Sequence, residues 1–118
     1  MATNSAFHLA DQLSLPVPAG TESNDPVKVG DLVGVALTDR GTEGNEPTHA
    51  TVKLTGAFHL VVDGAIADVG DPVYIDGDGD LTATASGNDL FGHALETKGV
   101  GEGEIPVKIA AFSVPGGA

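Results

Sequence analysis

The sequence has no cysteine and no tryptophan, and it is poor in aromatic and basic residues. Without cysteine, disulfide staples and thiolate metal sites are excluded, and the chain can fold in a reducing compartment. Four phenylalanines and one tyrosine in 118 residues leave little material for an aromatic-lined pocket or a base-stacking platform. Lys and Arg number 5 against 17 Asp and Glu, a formal net charge of −12. A phosphate backbone or an anionic membrane surface is repelled by such a field, so neither nucleic acid nor membrane is an expected partner. No uncharged apolar run approaches the roughly 18 residues of a membrane span, and the start Met1-Ala2-Thr3-Asn4-Ser5-Ala6-Phe7-His8 lacks the basic and apolar regions of a secretion signal.

What is present is aliphatic: 41% hydrophobic residues, drawn mainly from Val, Ala, Leu and Ile, enough for one modest core in a single domain of this length. The organising stretch is Val27-Lys28-Val29-Gly30-Asp31-Leu32-Val33-Gly34-Val35-Ala36-Leu37-Thr38-Asp39, which reads as a turn feeding a strand. Glycine before aspartate permits a positive φ, and the aspartate side chain can bond the backbone two residues on. Its first half returns as Val69-Gly70-Asp71-Pro72-Val73 and its second half as Leu90-Phe91-Gly92-His93-Ala94-Leu95. These echoes are too short and unevenly spaced for a solenoid; they imply similar corners reused within one β fold.

Residues 1–26 read as an extended N-terminal arm, with Leu13-Ser14-Leu15-Pro16-Val17-Pro18 its apolar insert. Two alternating prolines remove two donors and favour an edge-like or polyproline conformation. Two readings stand: a first edge strand of the same domain, or a segment that lies on another subunit. Residues 27–114 read as the β domain and 115–118 as a loose tail. Within the domain, Leu32–Leu37 is the opening strand and Thr38–Pro47 a polar loop. From Thr51 the period is two, with Val52, Leu54, Gly56, Phe58, Leu60 and Val62 on one face and a bend or bulge at Gly56. Val73-Tyr74-Ile75 and Leu81–Ala85 form a hairpin around Asp76-Gly77-Asp78-Gly79-Asp80. Leu90–Glu96 and Ile105–Phe112 complete the set. The expectation is all-β: a small β-barrel or β-sandwich of about seven to eight mostly antiparallel strands.

Candidate chemistry is thin. Asp76, Asp78 and Asp80 resemble the opening of a calcium loop, but Leu81 stands where that loop needs glycine and Gly87 where it needs the bidentate glutamate. A solvated hairpin turn explains them. His8, His49, His59 and His93 lack metal-ligand spacing. Gly99-Val100-Gly101-Glu102-Gly103 puts a carboxylate where a phosphate would approach and has no helix after it. Ser86 is not in a nucleophile elbow. No enzyme activity, metal or cofactor is expected.

Leu13–Thr21, Val29–Asp39, Val69–Tyr74 and Leu90–Leu95, in this order and spacing, resemble the small capsid decoration, or cement, proteins of tailed bacteriophages, in particular those of phages of actinobacteria. The likeness covers nearly the whole chain. Members sometimes carry a recombinase-like label, which the absent phosphate loop contradicts here. The resemblance implies a β-rich virion protein, made in the host cytoplasm, that binds the outside of the assembled head, commonly as a trimer. There it reinforces contacts between capsomers of the major capsid protein. The arm residues Phe7, Leu9, Leu13, Leu15, Pro16, Val17 and Pro18 are the expected capsid or subunit contacts. The alternative is an outward-facing module binding host-surface glycan, assisted by Ca²⁺ at Asp76, Asp78 and Asp80; the scarcity of aromatics speaks against sugar stacking.

Overall fold

A computed structural model describes residues 11–116, which form nine strands and, among the described residues, no helix. The strands are β1 (Gln12–Pro16), β2 (Pro26–Val29), β3 (Leu32–Ala36), β4 (His49–Lys53), β5 (Ala57–Asp63), β6 (Pro72–Ile75), β7 (Leu81–Thr82), β8 (Asp89–Ala94) and β9 (Glu102–Ile109). The first four make an open sheet ordered β1-β4-β3-β2, and the last five close into a barrel ordered β5-β7-β6-β8-β9. All pairs are antiparallel except β5 with β7. The all-β expectation is met, and its two architectures are both represented, as a sheet laid on a barrel.

The open sheet and the barrel are the same four-stranded unit used twice. Strands β1, β2, β3 and β4 correspond in order and pairing to β5, β6, β8 and β9, with β7 inserted only in the second unit. Register agrees up to a β-bulge between Val73 and Tyr74 that the first unit lacks. Pro26 opposes Val35 and Val27 opposes Gly34, as Pro72 opposes His93 and Val73 opposes Gly92. Val35 and Ala36 oppose Lys53 and Val52, as His93 and Ala94 oppose Lys108 and Val107. The corner hydrogen bonds repeat as well. The Asn24 N–H donates to the Ala36 carbonyl at 2.7 Å and the Ala36 N–H to the Asp25 carbonyl at 2.9 Å; Gly70, Ala94 and Asp71 repeat this at 2.7 and 2.8 Å. The Asp25 carboxylate accepts from the Glu22 N–H at 2.9 Å, and the Asp71 carboxylate from the Asp68 N–H at 3.1 Å. Each corner turns through a positive φ, 79° at Asn24 and 95° at Gly70.

The cores follow the same plan. In the first unit Val17, Val27, Ala36, Ala50 and Val52 are buried together, with Leu15, Val29 and Leu54 against them. Their counterparts Val62, Val73, Ala94, Ile105 and Val107, with Leu60, Ile75 and Ile109, line the barrel interior. Val33 and Val35 point to the other side of β3 and join the barrel's cluster. Sheet and barrel therefore share a core, and every residue of β3 after Leu32 is buried.

Three expectations shift. The long alternating run from Thr51 is two strands, β4 and β5, divided between the units at Gly56. Alternation survives the corner because each strand buries the same parity against its own core. Val27-Lys28-Val29 is strand β2, not part of a turn. The hairpin turn is Gly30-Asp31 alone, between paired Val29 and Leu32, with φ 62° at Gly30, the first-position glycine of a two-residue II′ loop. The echo of Val29–Val33 in Val69–Val73 is out of structural register: the counterpart of Gly70-Asp71-Pro72-Val73 is Asn24-Asp25-Pro26-Val27. The Leu32–Leu37 echo at Leu90–Leu95 is in register.

Candidate docking surface

Outermost in the first unit's sheet among the described residues is β1, which carries the candidate contact residues Leu13, Leu15 and Pro16, with Val17 and Pro18 directly after it. Its register with β4 is Leu13 to Val52 and Leu15 to Ala50, and the Val17 N–H donates to the Thr48 carbonyl at 3.0 Å. Alternation in an antiparallel pair then turns the backbone groups of Gln12, Ser14, Pro16 and Pro18 toward the free edge. The structure brings Leu15 and Val17 into the first unit's own core, leaves Leu13 half-buried on the same face, and exposes Pro16 and Pro18. Phe7 and Leu9 lie outside the described residues.

The surroundings of β1 are polar and well tied. Ser14 Oγ donates to Asn45 Oδ1 at 2.5 Å, and Asn45 Nδ2 donates to the Thr42 carbonyl at 2.8 Å, pinning the polar loop across the sheet. At the start of β1, Lys53 Nζ meets the Asp11 carboxylate at 2.6 Å. That cation, acting as donor and as charge, holds the Asp11 carboxyl below its ordinary value. At its end, Arg40 Nε donates to the Val17 carbonyl at 3.1 Å. Lys98, the matching residue of the second unit, reaches back to the Gly64 carbonyl at 2.6 Å.

An open groove of about 1100 Å³ separates the β2 side of the first unit from β5, β7 and the acidic turn of the barrel. Its barrel wall carries Asp63, Asp76, Asp78, Asp80, Glu102 and Glu104, and Lys28 crosses it to Asp89 at 3.5 Å. The Asp76 carboxylate is spent on the turn itself, accepting from the Asp78 and Asp80 N–H groups at 2.9 and 3.0 Å. The sequence suspects for calcium therefore form a self-bonded hairpin turn, and among the described residues no three carboxylates or histidines converge as metal ligands. His59 and His93 are exposed on β5 and β8, and His49 lies beside Glu46 and Thr48 in the first unit.

A surface feature the sequence did not announce is an apolar patch where the chain leaves β9. The Ser113 N–H donates to the Asp31 carbonyl at 2.7 Å and the Leu90 N–H to the Val114 carbonyl at 2.8 Å. This lays the segment after β9 beside the β2–β3 turn, with Leu32, Phe112 and Val114 39%, 60% and 40% exposed. An aromatic just past a strand end was the available signal, obscured because Phe112 also fits as the last residue of that strand.

The sequence model of the phage cement proteins matches residues 9–109, from just before β1 to the last residue of β9. The chain belongs to the phage cement protein family. Its role is structural, in the phage capsid, and both units of the fold lie inside the matched span. No curated protein and no solved structure matches the chain.

Proposed function

We propose that this cement protein works by contact area: it binds the outer surface of the phage head, bridges capsomers of the major capsid protein, and carries no catalytic activity. It is made in the host cytoplasm and assembles on the shell, with a trimer as the favoured state. The segment before the fold makes the principal contact through Phe7 and Leu9, continued by Leu13 and the exposed Pro16 and Pro18, while Leu15 and Val17 hold β1 to its own core from beneath. The observation that carries this reading is the position of β1, which among the described residues is the outermost strand of its sheet, exposes Pro16 and Pro18, and begins where that segment ends. Strand edges and extended segments are the usual means by which a pocket-poor β protein grips another chain.

The test is removal of residues 1–10, which leaves β1 and both cores intact. The truncated protein is expected to keep its thermal unfolding midpoint and to lose co-sedimentation with undecorated heads. Undiminished co-sedimentation overturns the assignment of the contact to this segment. A longer deletion through residue 20 is a poor test, because it removes β1 and Val17 from the first unit's core.

A further inference from the structure

The two units differ in one respect that their shared plan makes visible. The second accepts β7 between β5 and β6 and closes; the first has the corresponding position between β1 and β2, and among the described residues no strand fills it. In the second unit β7 runs parallel to β5 with Val62 opposite Leu81 and Asp63 opposite Thr82, and the Ala83 N–H donates to the Asp63 carbonyl at 2.9 Å. The Gly56–Ile109 and Asp11–Leu54 hydrogen bonds are equivalent, so Pro16 and Pro18 stand where the second unit has Val61 and Asp63. Those are the edge-facing positions beside which the extra strand sits.

We propose that Pro16, Pro18 and Thr21 seal the first unit against the strand that the second unit accepts. The seal acts on both kinds of backbone group. Neither proline has an N–H to offer an incoming strand. The Pro18 carbonyl, counterpart of the one that receives Ala83, is occupied from within: the Thr21 N–H donates to it at 3.2 Å and Thr21 Oγ1 at 2.7 Å. Thr21 is buried, which holds that double bond in place. Across the corresponding position, β2 presents Lys28 where the second unit has Tyr74 paired with Thr82. Lys28 carries its charge into the groove toward Asp89, and a charged edge residue is a further bar to strand addition. Pro26 is matched by Pro72 and so is not part of the difference.

An unsealed half-barrel is a template on which a second copy, or any extended chain, can add a strand. The seal keeps copies of this protein from joining edge to edge by strand addition, and it leaves Pro16 and Pro18 to meet another chain through their side chains alone.

The test transplants the second unit's residues. P16V/P18D and wild type are compared by sedimentation velocity over a wide range of concentration, and by fluorescence anisotropy of a labelled peptide with the sequence of residues 80–85. Wild type is expected to keep one oligomeric state and leave the peptide free. P16V/P18D is expected to form larger species as concentration rises, or to take up the peptide saturably. A P16V/P18D protein with wild-type circular dichroism and melting that does neither overturns the proposal, as does a wild type that binds the peptide. Where P16V/P18D does not fold, P18A, which restores one edge N–H, is read in the same way.

Discussion

Gly34 and Gly92 occupy the same place in the two units: a methyl group added at Gly34 would run into the Lys53 carbonyl, and one added at Gly92 into the Lys108 carbonyl. Both lie mid-strand and buried, where glycine is otherwise unfavourable, and both let the neighbouring strand cross close over the backbone. The residues flanking them also correspond, Val52 beneath Gly34 and Val107 beneath Gly92. The strand crossing is thus a property of the repeated unit and not of one corner.

Gly34→Ala and Gly92→Ala are each expected to destabilise by at least about 1–3 kcal/mol, because the obstacle is backbone and the strands must part to make room. Gly77 provides the control. Its Cβ would meet nothing within 4 Å and its φ is not positive, so Gly77→Ala is expected to stay within about 0.5 kcal/mol of wild type. Thermal or urea unfolding of the three variants decides it; a Gly92→Ala protein as stable as Gly77→Ala contradicts the crossing argument.

The paired aspartate corners make a second prediction. Asp25 and Asp71 each accept the N–H three residues before them and each precede a proline that starts an equivalent strand. Asp25→Ala and Asp71→Ala should each cost about 0.5–1.5 kcal/mol, the worth of one such hydrogen bond. The two losses should also be alike. Urea midpoints that move for one variant and not for the other would mean that the corners are alike in shape only.

Much of this was legible in the sequence because it is local. Asp76-Gly77-Asp78-Gly79-Asp80 announces its hairpin, Leu32–Leu37 and Leu90–Leu95 align in the register the structure uses, and Ile105, Val107 and Ile109 share a buried face as their spacing implies. The larger duplication was obscured by one substitution and one insertion. Asn24 supplies the positive φ that glycine supplies at residue 70, so a search for Gly-Asp finds the hairpin at Gly30-Asp31 instead. The insertion of β7 changes the spacing between corner and strand, so no constant offset links the halves. The boundary at Gly56 was hidden because period two continues through it. The candidate docking surface was legible only as composition: alternating prolines mark β1 as an edge, but the two cores and the exposure of Phe112 depend on contacts far apart in sequence.

Phe91 and Phe112 separate burial from exposure for one residue type. Phe91 is fully buried in the shared core, whereas Phe112 is 60% exposed after β9. Phe91→Ala is expected to cost about 3–5 kcal/mol through lost burial and the cavity left behind. Phe112→Ala should fall within about 0.5 kcal/mol of wild type, as for an ordinary surface change. Melting temperatures in one buffer test both. A large loss at Phe112 would show that the segment after β9 is a structural clamp and not a surface patch.

The Asp11–Lys53 contact predicts a specific acid dependence. The Lys53 ammonium donates a 2.6 Å hydrogen bond to the Asp11 carboxylate and lowers its pKa in the folded state. A carboxyl whose folded pKa lies below its unfolded one binds fewer protons when folded. Its contribution to stability is therefore complete above the unfolded pKa and is lost as pH falls through the folded value. Both groups are partly exposed at the edge of β1, so the effect is small and salt should shrink it further. In Lys53→Met the Asp11 carboxyl is expected to titrate higher than in wild type, and the variant should lose less stability between neutral and strongly acid pH. Carboxyl carbon NMR titration of Asp11 in the two proteins is the direct measurement. The same midpoint in both would mean that the contact at the start of β1 does not persist in solution.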